Sequence, residues 1–141
     1  MVTAIVIDDD IDTVDVFCDY LKLKNVEVLG KGHNGKDAFE LYQKYKPDIV
    51  FLDLMMPDYD GFYGLENIRK VNPSSNVVII TADLREETAE KLEKLKPTEV
   101  FIKPYGIEKI TKLLERIQLD DLAYSFQGSF DSVYLVRNLV I

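Results

Sequence analysis

Five side chains capable of chemistry stand at the ends of apolar runs. Asp8 and Asp9 follow Thr3-Ala4-Ile5-Val6-Ile7, Asp53 follows Ile49-Val50-Phe51-Leu52, Thr81 follows Val77-Val78-Ile79-Ile80, and Lys103 follows Val100-Phe101-Ile102. Three carboxylates drawn together repel one another unless a cation joins them. Oxygen ligands with room left for water suit Mg²⁺. Lys103 adds a point positive charge and Thr81 a small hydroxyl donor. A metal, an ammonium and a hydroxyl around one carboxylate suit a phosphoryl group, whose charge spreads over three oxygens. Asp53 then reads as a nucleophile that forms an acyl phosphate.

Groups so far apart in sequence converge only if the chain aligns its strand ends. Parallel strands do this along one edge of an open sheet, where such sheets place their ligands. The run into Asp53 is apolar without alternation, as a strand buried on both faces requires. Between the strands lie helical patterns. Ile11, Val14, Phe17 and Leu21 recur at three and four residues, followed by Lys22 and Lys24 in a last turn that suits the helix dipole. Val26 to Leu29 reads as a strand closed by Gly30-Lys31-Gly32, and Asn34 reads as the cap of a helix with Ala38, Leu41, Tyr42 and Tyr45 inward. Phe62, Leu65 and Ile68 mark a third helix that ends at Asn72-Pro73. A charged fourth helix spans about 85–95, with Glu87 before Lys91 and Glu90 before Lys94 at a favourable spacing. Ile107, Ile110, Leu113, Leu114 and Ile117 form a fifth stripe. The alternation βαβαβαβαβα predicts an α/β fold, a doubly wound parallel sheet of five strands with helices on both faces.

Composition sets the outer limits. With 141 residues, 47% of them apolar and 30% charged, the chain suits one soluble globular domain. A net charge of −8 disfavours direct contact with nucleic acid or anionic membrane. Cys18 is the only cysteine, so no internal disulfide forms. Val2 to Ile7 is too short for a signal peptide and no apolar run approaches twenty residues, which predicts a cytoplasmic protein.

The stretch Leu52-Asp53-Leu54-Met55-Met56-Pro57-Asp58-Tyr59-Asp60-Gly61, the acid pair Asp8-Asp9, Thr81-Ala82 and Lys103-Pro104 occur in an order that resembles the receiver domain of two-component response regulators, of the chemotaxis-regulator kind. The match runs from Thr3 to about Gln118. The resemblance implies a flavodoxin-like sheet in the order 2-1-3-4-5 and a phosphoacceptor, Asp53, charged by a sensor histidine kinase or phosphotransfer protein. It implies Mg²⁺ held by Asp9, Asp53 and the main-chain carbonyl of Met55, with Asp8 assisting. Thr81 and Lys103 would contact the phosphoryl oxygens, and the Lys103-Pro104 bond would be cis. Such a protein switches its contacts with a downstream protein. It catalyses only its own phosphorylation and dephosphorylation, and is not otherwise an enzyme.

Two positions depart from that family's pattern. Val100 stands three residues before the lysine, where receivers often carry an aromatic, and Phe101 beside it points to the other face of its strand. Met55 replaces a polar side chain able to orient an attacking water, which predicts slow autodephosphorylation. Blander roles fit other residues: Asp10 as a helix cap, Cys18 as a packed thiol, and His33 as a solvent-facing turn residue. Residues 1–118 form the expected receiver domain. Residues 119–141 form an extension in which Leu122, Tyr124 and Phe126 alternate and Val133 begins an apolar run, a pattern that predicts a β-hairpin or a strand added across a homodimer. An aspartyl-nucleophile phosphatase and a phosphorylation-independent interaction module are the rival readings.

Overall fold

A computed structural model gives the structure of the protein over residues 1–126. Strands and helices alternate as β1 (Thr3–Ile7), α1 (Ile11–Leu23), β2 (Glu27–Gly32), α2 (Gly35–Tyr45), β3 (Ile49–Asp53), α3 (Gly61–Val71), β4 (Val77–Thr81), α4 (Glu86–Leu95), β5 (Glu99–Ile102) and α5 (Ile107–Phe126). The strands pair in parallel in the order β2-β1-β3-β4-β5, the flavodoxin-like topology. The chain divides into two compact units, Met1–Pro104 with the whole sheet and a second that starts at Tyr105 and carries α5.

Within the first unit, β3 lies at the middle of the sheet with every residue buried. Alternate residues of three strands, Ile5 and Ile7, Val50 and Leu52, Val77 and Ile79, join Ala38 and Tyr42 of α2, Leu65 and Ile68 of α3 and Leu92 of α4 in one apolar cluster. The opposite face of β3 meets α1, where Phe17 packs edge-on to Phe51 with ring centroids 4.9 Å apart. Cys18 is fully buried in α1. Carboxamide and carboxylate caps set three helix starts: Asp10 accepts from Thr13 N–H at 3.1 Å, Asn34 from Asp37 N–H at 2.8 Å, and Asp60 from Tyr63 N–H at 3.0 Å. No described helix is long and apolar enough to cross a membrane.

Two elements run further than their sequence patterns predict. β2 continues through Gly30, Lys31 and Gly32, which pair with Ile5, Val6 and Ile7. An edge strand tolerates glycine because only one side of its ladder is engaged. The backbone of α5 stays helical to Phe126, so the expected boundary at 118 falls inside a helix and residues 119–126 are not the strand their alternation suggests. Extending a helix already nucleated by Ile110, Leu113 and Leu114 costs little, and Gln118, Leu119, Leu122 and Ala123 are good helix formers. The hairpin and dimer-strand expectations for residues 127–141 lie outside the described residues.

Gly61 closes the loop after β3. Its N–H donates to the Leu54 carbonyl at 2.9 Å, and a Cβ there would overlap the Asp53 carbonyl oxygen and lie 2.7 Å from Leu54 Cα. Backbone cannot yield as a side-chain tip can. At Gly30 the first atom met is the flexible end of Leu41, at 3.0 Å. Gly61→Ala is therefore expected to cost about 2 kcal/mol or more in urea denaturation, and Gly30→Ala clearly less. Equal losses would contradict this account of the loop.

Candidate acidic site at the strand ends

Each acid reaches the site by a separate strand. Asp8 follows β1, its N–H donating to the Gly32 carbonyl at 3.1 Å, and its Oδ1 accepts from Asp10 N–H at 2.9 Å. Asp53 ends β3, and its Oδ1 accepts from Leu54 N–H at 2.9 Å. Asp8 and Asp53 are buried, whereas Asp9 is exposed. One carboxylate oxygen from each of Asp8, Asp9 and Asp53 lies within 4.8 Å of the others. Lys103 projects between two of them, its Nζ 3.3 Å from Asp8 Oδ2 and 3.9 Å from Asp53 Oδ1.

One ammonium does not balance three carboxylates. Burial pushes the Asp53 carboxyl up to about 6, the Asp8 and Asp9 charges push the same way, and Lys103 and the Leu54 N–H oppose them. A buried acid in that state is stabilised by further positive charge. The donor set fits Mg²⁺, which takes one or two carboxylates and keeps several waters.

The remaining expected residues border this cluster. Ile80 is the register partner of Asp53, which puts Thr81 one residue beyond it on the adjacent strand. Thr81 is fully buried, its hydroxyl accepts from Asp83 N–H at 3.0 Å, and its carbonyl accepts from Lys103 N–H at 2.8 Å. That last bond fixes the start of Lys103 to the end of β4. The Lys103–Pro104 peptide bond is cis. The Met55 side chain is exposed, with Sδ 4.0 Å from Arg85 Nη2. Val100 packs on the apolar cluster while Phe101 is buried from the other face.

Two participants carry no clear sequence signal. His33 is exposed as expected, yet its Nδ1 lies 3.0 Å from the Asp8 carbonyl oxygen. A carbonyl only accepts, so Nδ1 carries the proton. The register of β2 with β1 places His33 there, and only a strand extended to Gly32 reveals it. Asp83 gathers donors from Arg85 and Thr88 through the bend of the β4–α4 loop, which no periodicity encodes.

The sequence also matches the family model described as the response regulator receiver domain over residues 4–115. The chain belongs to that family. A similar receiver relative, the chemotaxis protein CheY of Listeria monocytogenes, is 28% identical over 82% of this chain and 98% of its own length. CheY of Thermotoga maritima is 25% identical over 81% and 95%. Among solved structures, a DNA-binding response regulator of the LuxR family from Staphylococcus aureus superposes with a TM-score of 0.76 and 27% identity, covering 83% of this chain and 98% of that one.

The raised Asp53 pKa has a stability consequence. In the unfolded chain this carboxyl ionises near the 3.8 ordinary for an aspartate, and in the folded receiver burial pushes it up to about 6. Folding therefore loses stability as pH rises through that window, and the whole loss is present above it. In chelator, Asp53→Asn is expected to stabilise the fold at pH 7.5 by about 1 to 2 kcal/mol, allowing for solvent screening at the open side of the cleft. The gain should fade as pH drops from 6 to 4. A gain that does not vary with pH in denaturant titrations would exclude this origin.

Proposed function

We propose that this receiver is a phosphorylation switch in which Asp53 accepts a phosphoryl group from a sensor histidine kinase or phosphotransfer protein. The observation that supports it is the pairing of a buried, charge-starved Asp53 with Lys103 inside a three-acid cluster. The Leu54 N–H holds one Asp53 oxygen. The other is left to form the bond to phosphorus as the P–N bond of the donor's phosphohistidine breaks. Lys103 stands where it can neutralise phosphoryl oxygens, and the Thr81 hydroxyl donates to another. Asp8, Asp9, Asp53 and the Met55 main-chain carbonyl would hold Mg²⁺, with Asp8 acting partly through water. Bound there, the ion offsets the charge of the acids and of the transferring group. The receiver acts in the cytoplasm by changing its contacts with a downstream protein, and on no substrate other than itself.

An aspartyl-nucleophile phosphatase would place a second acid two residues after the first, and Met55 stands there. The same side chain offers nothing to orient an attacking water, so the acyl phosphate should persist.

Incubation with acetyl phosphate and Mg²⁺ is expected to add one phosphoryl group by intact mass. Asp53→Asn should abolish the addition, and Asp9→Asn or Lys103→Met should reduce it at least tenfold, the usual scale for a group stabilising transferred charge. Addition that survives Asp53→Asn would refute the assignment. Met55→Asn should shorten the acyl-phosphate lifetime several-fold, and a half-life of seconds in the unaltered protein would count against slow hydrolysis.

A further inference from the structure

The main chain of Asp8 is fastened to the end of β2 through both of its polar groups. Its N–H donates to the Gly32 carbonyl at 3.1 Å, and its carbonyl accepts from Nδ1 of His33, the residue that follows the strand, at 3.0 Å. The first bond is the continuation of the strand ladder. The second comes from an exposed side chain, which water would otherwise solvate freely.

The start of α2 holds His33 for this contact. The His33 N–H donates to Asp37 Oδ2 at 2.9 Å, and the Asp37 N–H donates to Asn34 Oδ1 at 2.8 Å, the reciprocal bonding of a capped helix. The cap therefore fixes the His33 main chain and leaves only the imidazole to be placed.

What the imidazole controls is the peptide unit between Asp8 and Asp9. That unit is planar, so fixing its carbonyl oxygen also fixes the direction in which the chain leaves toward the Asp9 Cα. Asp9 has more need of this than the other two acids. Asp8 and Asp53 are buried and held by their surroundings, whereas Asp9 is exposed. Beyond it, Asp10 donates its N–H to Asp8 Oδ1 and caps α1 by accepting from the Thr13 N–H. Asp9 is thus the link between two anchored residues, and His33 completes the anchor on the β1 side.

We propose that His33 is a positioning residue for the acid pair: by holding the Asp8 carbonyl it sets the Asp8–Asp9 peptide plane and so presents the Asp9 carboxylate to Mg²⁺. This role rests on the reading above of these acids as the ligands of the cation. His33 works through main chain, so it lowers the ordering that Asp9 must undergo when the cation binds. It therefore acts on affinity for Mg²⁺ and leaves the transfer of the phosphoryl group to the groups around Asp53.

Calorimetric titration of the full chain with MgCl₂ is the first test. His33→Leu and His33→Asn both branch at Cγ, but only asparagine places an N–H donor where His33 carries Nδ1. His33→Leu is expected to weaken Mg²⁺ binding about tenfold, the scale for losing a group that orients a metal ligand, and His33→Asn to keep most of the affinity. Labelling with acetyl phosphate, followed by intact mass, is the second test. In His33→Leu the Mg²⁺ concentration for half-maximal rate should rise by the same factor, while the rate at saturating Mg²⁺ stays within about twofold of the unaltered protein. Equal affinity in all three proteins, an equal loss in both variants, or a lost rate that saturating Mg²⁺ does not restore would each overturn the role. An unaltered protein that binds Mg²⁺ but gains no phosphoryl group would count against Asp53 as acceptor, while the titration still decides His33. An unaltered protein that binds no Mg²⁺ would remove the metal reading of the acids and the role of His33 together.

Discussion

The site is organised by an imbalance of charge in a place with little water. Asp8 and Asp53 are both buried, Asp9 lies beside them, and among the described residues Lys103 is the cation that answers Asp8 and Asp53, from 3.3 and 3.9 Å. Burial of like charges is costly in proportion to how completely water is excluded. Here the cost appears as an Asp53 carboxyl pushed up to about 6. Such an arrangement holds a carboxylate ready for a cation and for a group that brings its own need for positive charge. A hydrophobic residue in place of Asp53 would suit the buried end of β3 better.

That imbalance also explains why the rest of the first unit is so rigidly apolar. β3 is buried along its whole length, and α2, α3 and α4 close one face of the sheet through a single cluster. Dense packing fixes strand ends to fractions of an ångström and resists the relaxation that would let the acids drift apart. Backbone contacts finish the task. The Thr81 carbonyl holds the Lys103 N–H, the Gly32 carbonyl holds the Asp8 N–H, and Gly61 folds the β3–α3 loop back on Leu54 with no space for a side chain. The acids are therefore placed by strands, and the loops between strand and helix keep them there.

Much of this was legible in the residues because strands impose a simple rule. A short apolar run that stops on a functional side chain puts that side chain at the sheet's edge, and parallel pairing brings such edges together. Asp8, Asp53, Thr81 and Lys103 all obey it, as does the opposite facing of Val100 and Phe101. The rule fails where pairing overrides composition. Gly30 and Gly32 read as a stop, yet β1 holds them in register, and that brings His33 to the Asp8 carbonyl. At the other end, alternation of Leu122, Tyr124 and Phe126 mimicked a strand, while a helix already under way continued through them. The Asp83 cluster was illegible for a different reason: its donors are brought together by one loop bend, and a bend leaves no period in the sequence.

Position 100 lies in β5, next to the end of the sheet that carries Lys103. Valine there is packed on the cluster beneath α4 and has neither the length nor the polar tip to swing between buried and exposed positions. Leu92 is locked in the apolar cluster, and Lys103 is tied by its N–H to the Thr81 carbonyl and by its ammonium to Asp8. Asp83 differs from both: it hydrogen-bonds the Thr81 hydroxyl directly, and its other partners belong to the start of a helix that borders open space. The strong charged bonds of this cluster are internal to the loop and the helix start, and the Asp83 N–H joins it to the Thr81 hydroxyl at the end of β4.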